Sequence, residues 1–125
     1  VLLQLEATKT GTHGIKVLSG ATEATVIGAD FASARLFVDR TQSGQVNFNP
    51  KFPGVQDAPL ASPDGRVKLH IFVDACSVEV FANEGEVVIS DLVFPSDASR
   101  GVECFGAENA AKIHALDVWT LKSAW

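Results

Sequence analysis

The chain has 125 residues, 46 % of them hydrophobic and 20 % charged, with a formal net charge of −5. That length suits one domain, and that apolar share supplies a core, which excludes an intrinsically disordered chain. The acidic balance, with basic residues scattered singly, argues against nucleic acid and against an anionic membrane surface as partners. Neutral ligands such as sugars stay open.

Strand signals run the length of the chain. The opening Val1-Leu2-Leu3-Gln4-Leu5-Glu6 has neither the basic segment nor the cleavage site of a signal peptide, and reads as a strand over Leu2–Ala7. Further strands are expected at Ile15–Leu18, Ala24–Ile27 and Ala34–Asp39. In the last of these Ala34, Leu36 and Val38 alternate with Arg35, Phe37 and Asp39. From Thr41 to Ser62 the chain turns polar and rich in proline and asparagine. It reads as a long loop, of the kind that is either functional or disordered.

The clearest alternation comes next along the chain. Val67, Leu69, Ile71 and Val73 share one face, and Lys68, His70 and Phe72 the other. Ser77–Phe81 and Glu86–Phe94 read as a strand pair joined at Asn83-Glu84-Gly85, a hairpin signal. Val102–Phe105 and Lys112–Leu121 complete the set. Gly and Pro clusters (Gly11–Gly14, Pro50–Pro59, Ser62–Gly65, Pro95–Gly101) punctuate these strands, and no window sustains a helical period over three turns. About ten short strands predict an all-β fold, a two-sheet antiparallel β-sandwich of jelly-roll or lectin-like type, with residues 1–125 as one domain.

Chemistry-bearing residues are sparse. Cys76 and Cys104 each sit in an apolar, strand-like run and are expected to be small buried hydrophobes with free thiols. His13, His70 and His114 stand far apart without a second ligand at metal spacing, and read as solvent-facing strand or turn residues. There is no C-x-x-C, calcium loop, phosphate-cradling glycine motif or nucleophile elbow. No metal or cofactor is therefore expected.

Carboxylates remain. Glycoside hydrolysis needs a pair of them flanking the scissile bond. Asp39, Asp74, Glu79, Glu84, Glu86, Asp91 and Glu103 could supply a pair by count, but exposed strands and turns use such residues routinely. Asp74 and Ser77 bracket the tight Ala75-Cys76 connection, where the carboxylate and the hydroxyl are expected to bond backbone N–H groups. Glu79 lies on the side of Phe81, opposite Val78 and Val80.

The run His70-Ile71-Phe72-Val73-Asp74-Ala75-Cys76-Ser77-Val78-Glu79-Val80-Phe81-Ala82-Asn83 resembles the C-terminal β-sandwich domain of glycoside hydrolase family 32, the family of invertases, levanases and inulinases. Arg35-Leu36-Phe37-Val38-Asp39-Arg40-Thr41, Asn47-Phe48-Asn49-Pro50 and Leu116-Asp117-Val118-Trp119-Thr120-Leu121-Lys122-Ser123 match it too, in the right order along nearly the whole chain. The sequence departs from the pattern at Ala75 and Cys76, where the family more often has Arg and Ser.

The resemblance implies that the chemistry lies elsewhere, on an N-terminal five-bladed propeller carrying Asn-Asp-Pro-Asn-Gly, Arg-Asp-Pro and Glu-Cys motifs. The first two are missing here. Glu103-Cys104 spells the third, but in a strand of the sandwich, so no catalytic residue is carried over. By the same resemblance the chain is expected to be a non-catalytic module that packs against the propeller and stabilises a retaining β-fructosidase. Trp119, Leu121 and Trp125 are candidate anchors. Two other roles stay open: a fructan-binding module, given a likeness to carbohydrate-binding module family 66, and a dimerisation domain. For sugar binding the candidate residues are Asp39, Arg40 and Glu79. The alternative for Asp39 and Arg40 is an intramolecular ion pair or turn contact.

Overall fold

The computed structural model describes residues 2–7, 12–47, 49–51, 53–60, 66–106 and 111–117. Among these residues there are ten strands: β1 Leu2–Ala7, β2 Thr12–Ser19, β3 Thr25–Asp30, β4 Arg35–Asp39, β5 Val55–Pro59, β6 Arg66–Val73, β7 Ser77–Ala82, β8 Val87–Leu92, β9 Gly101–Phe105 and β10 Ala111–Asp117. They form two five-stranded sheets, ordered β10-β1-β6-β7-β8 and β5-β4-β3-β2-β9. Every pairing between neighbours is antiparallel. The expected all-β sandwich is what the chain forms.

The core follows from period-two alternation. Ile15 and Val17 of β2, Ile27 and Ala29 of β3, and Leu36 and Val38 of β4 point inward from one sheet. Val67, Leu69 and Ile71 of β6 and Val78, Val80 and Ala82 of β7 meet them from the other. Each fully buried branched side chain stabilises the fold by about 1.5–3 kcal/mol relative to its exposed state. Among the described residues one inward carboxylate stands out: Asp91 of β8 is buried. Its burial pushes the carboxyl pKa up, and the charge of Arg40 pulls it part of the way back.

Four expectations need correction. Thr41–Ser62 is not loop throughout, because β5 lies within it. Val55, Gln56, Asp57 and Pro59 are exposed, so β5 has no apolar alternation to betray it. It is an edge strand held by pairing with β4 and by a two-bond fork from Arg35 to Asp57, and an edge tolerates Pro59. Ala34 is not a strand residue: it sits in the β3–β4 turn with φ 54°. His13 is fully buried rather than solvent-facing, because β2 starts at Thr12 inside the expected Gly11–Gly14 turn and puts His13 in phase with Ile15 and Val17. Its ring packs against Phe31. Both cysteines are free; Cys104 is half-buried, but Cys76 is exposed rather than buried, because it lies in the β6–β7 turn and not in a strand. Trp119, Leu121, Trp125 and the side chain of His114 lie outside the described residues.

Candidate functional site

The three residues read as sugar ligands go to three different places. Asp39 ends β4, and its Oδ1 accepts from the Thr41 N–H at 2.9 Å and the Thr41 hydroxyl at 2.6 Å. Arg40 turns to the opposite sheet, donating to the Leu92 carbonyl at 3.0 Å and standing 3.7 Å from Asp91. The amide of Gln56, oriented to satisfy both its atoms, adds a donor to Asp91 Oδ2 at 3.1 Å. Arg40 is thus a clasp between the sheets. Glu79 is exposed on β7, on the outer face of the sheet that lacks Asp39.

Asp74 and Ser77 do meet at the β6–β7 turn. The Asp74 carboxylate accepts from the Ala75 N–H at 2.7 Å, and the Asp74 N–H donates to the Ser77 carbonyl at 2.9 Å. Ser77 contributes through its backbone there.

The two outer faces differ sharply. On the first sheet, β6 and β7 put His70 opposite Phe81 and Phe72 opposite Glu79, and β8 puts Val88 opposite Phe81. The rings of His70 and Phe72 are 4.6 Å apart, and Phe72 meets Phe81 edge-on at 5.8 Å. Lys68, His70, Phe72, Phe81 and Gly85 line a recess of about 340 Å³. Phe72 is 43 % exposed, Val88 49 % and Leu92 57 %. Packing within this chain leaves these side chains half in water.

The second sheet turns a polar face outward. Strand register sets Glu103 of β9 opposite Lys16 of β2, Lys16 opposite Val26 of β3, and Val26 opposite Asp39 of β4. In the next row Gly14 faces Gly28. A Cβ on Gly14 would stand 2.0 Å from the Ile27 carbonyl oxygen, and one on Gly28 2.8 Å from the Phe37 ring, so two bare positions let backbone and ring close up. Beside them β2 shifts register against β9 between Lys16 and Ser19, with Leu18 at φ 49°. Such a bulge bends its strand and deepens the local twist.

Over the row of Lys16, Val26, Asp39 and Glu103 lies a cavity of about 350 Å³, lined by those four residues, by Thr41 and Gln42 and by the β2–β3 connection from Ser19 to Ala24. Its rim is tied down by Glu23. That carboxylate accepts from the Ser96 N–H at 3.1 Å, from the Ser99 hydroxyl at 2.7 Å and from the Ser96 hydroxyl. These bonds, the Ser96 hydroxyl foremost, hold the Glu23 pKa below its ordinary value.

Sequence reasoning found Asp39 but missed Lys16, Val26 and the rim formed by Glu23. Strand parity was the available signal: Lys16 lies out of phase with Ile15 and Val17. Which strands stand side by side could not be read that way. Glu103 was weighed only as a catalytic acid; it lies exposed on an outer strand face.

Fold and faces define a class: a two-sheet antiparallel β-sandwich module with one aromatic and one polar outer face. The chain matches the family described as Glycosyl hydrolases family 32 C terminal over residues 1–120, and it belongs to that family. It is 45 % identical over 113 residues to a levanase of Bacillus subtilis (strain 168), a match that covers 90 % of this chain and 17 % of that protein. It is 39 % identical over 121 residues to the extracellular exo-inulinase of Aspergillus ficuum, covering 94 % of this chain and 22 % of that one. The crystal structure of exo-inulinase from Aspergillus awamori superposes with a TM-score of 0.78 at 36 % identity, over 88 % of this chain and 22 % of the other. The chain therefore spans about a fifth of the hydrolases it is similar to.

Proposed function

We propose that residues 1–125 are one non-catalytic β-sandwich module of a β-fructofuranosidase or fructan hydrolase, docked on its N-terminal five-bladed propeller and stabilising it. The parent enzyme hydrolyses β-fructosyl bonds of sucrose, levan or inulin with retention. The observation that carries the docking role is the aromatic outer face at Phe72, Phe81 and Val88. Clustered exposed rings of this kind mark a surface that another surface covers, and most of the length of its relatives lies outside this chain.

The test uses the full-length hydrolase and this chain side by side. The double substitution Phe72→Ser and Val88→Ser costs the 125-residue chain only the contacts to His70 and Phe81, about 1 kcal/mol. In the full-length enzyme the same change costs about 1–2 kcal/mol more than it does in the chain alone, the share lost from the interface, and lowers the melting temperature by several degrees. A loss no larger in the full-length enzyme than in the chain alone would remove this face from the interface. The chain alone releases no fructose from sucrose, levan or inulin; release abolished by Glu103→Gln would place a catalytic acid in the sandwich after all.

A further inference from the structure

We infer that the cavity on the outer face of the β5-β4-β3-β2-β9 sheet is a binding site for a short neutral sugar. Val26, Asp39, Lys16 and Glu103 form its floor and contact groups. The site lies on the opposite side of the sandwich from the aromatic face, so it stays open when that face is covered.

Four features of the cavity support a sugar. First, its polar groups have bonding capacity to spare. Lys16 and Glu103 stand opposite each other in register, yet neither makes an ion pair or hydrogen bond among the described residues. Asp39 spends Oδ1 on Thr41 and keeps Oδ2. Second, Asp39 is pre-positioned: two bonds from Thr41 fix its carboxylate, and a locked first contact lowers the ordering cost of binding.

Third, the mixture matches polyols. Carboxylates accept from vicinal hydroxyls, the ammonium donates to a ring or hydroxyl oxygen, the Thr22 hydroxyl and the Gln42 amide do either, and the Thr41 hydroxyl, its proton already given to Asp39, accepts. Val26, Ala21 and Ala24 give an aliphatic surface for the C–H side of a ring. Fourth, size and charge narrow the ligand. About 350 Å³ falls at the small end of ligand pockets, which run from about 300 to 1,000 Å³. Three strand spacings separate Glu103 from Asp39, roughly 14 Å of sheet, room for one or two rings. Asp39, Glu103 and Glu23 against the single Lys16 leave the lining net negative, so a phosphorylated sugar is repelled.

The experiment is a titration of the ¹⁵N-labelled 125-residue chain with fructose, levan and inulin oligosaccharides, maltotriose and fructose 6-phosphate. At least one neutral sugar should shift the amides of Val26, Asp39 and Thr41 saturably, with a Kd of about millimolar order. Fructose 6-phosphate should bind at least about fivefold more weakly than fructose or not at all. Glu103→Gln and Lys16→Met should each weaken the binding severalfold with unchanged melting temperature, while Glu79→Gln on the far sheet leaves it intact. No saturable shift with any neutral sugar would overturn the site. So would saturable shifts confined to the aromatic face, or affinity untouched by both Glu103→Gln and Lys16→Met. The docking role is tested separately in the full-length enzyme and survives either result.

Discussion

The aromatic face of the β6-β7-β8 edge and the polar face over β9-β2-β3-β4 are built by the same alternation, and they end in opposite chemistry. In the central strands β2, β3 and β4 of one sheet and β6 and β7 of the other, alternate residues are committed to the core, and the inward sets are alike: Val67, Leu69, Ile71, Val78 and Val80 against Ile15, Val17, Ile27, Leu36 and Val38. The outward sets answer to no such demand. One sheet presents His70, Phe72, Phe81 and Val88. The other presents Gly14, Lys16, Val26, Gly28, Phe37, Asp39 and Glu103, with Phe37 folded down over Gly28. Packing fixes what points in, and the two outward sets are where function is free to differ. Apolar rings in water call for another protein surface, whereas a recessed polar floor with unspent donors and acceptors calls for a small hydrophilic ligand.

Leu69→Ala gives the largest effect, because it removes the layer beneath both faces. Its side chain is fully buried, so the loss is about 2–5 kcal/mol in denaturant unfolding, and the two faces fail together. Retention of one face's binding after the global melt would show that the sheets unfold independently.

Arg40→Ala comes next, since it releases the clasp between the sheets and strands the buried carboxylate of Asp91. A loss of about 2 kcal/mol is expected, below the range for a fully buried pair because Arg40 keeps some solvent access. The pH dependence has a definite sign. Burial raises the Asp91 pKa, so the stability associated with its neutral form is present in acid and lost as pH rises through the folded-state value. Without Arg40 that value rises further, and the variant's deficit should be larger at neutral pH than in acid. A pH-independent deficit would mean that the guanidinium works through the Leu92 carbonyl alone.

Glu23→Gln is the smallest change and touches only the polar face. It weakens the bonds tying the cavity rim to Ser96 and Ser99, with a cost of about 1 kcal/mol after solvent screening. Here the folded pKa is lowered. The wild-type advantage is therefore full above the ordinary glutamate value and disappears as pH falls through the folded-state value. Thermal melts of both proteins across that range check it. If the gap persists in acid, the loop is held by something other than the ionised carboxylate.

Much of the architecture was legible in advance. β6 and β7 could be read almost to the residue, because an uninterrupted apolar–polar alternation has only one sheet-forming phase. Where the alternation was broken, the reading failed: β5 shows no apolar face, and His13 lay in what looked like a glycine turn. The candidate site was legible only in part. Asp39 stood out beside Arg40, but adjacency along a strand sends consecutive side chains to opposite faces, and the two part company.

The order of amino acids was enough for the fold class, the inward-facing residues of β6 and β7 and the family, since each rests on local periodicity or on runs of matching residues. It took the folded chain to bring Arg40 to Asp91 and to set Lys16, Val26, Asp39 and Glu103 in one row. Those neighbours are brought together by strand order across a sheet. Strand order is set by how the whole chain packs its apolar faces, and no local pattern records it.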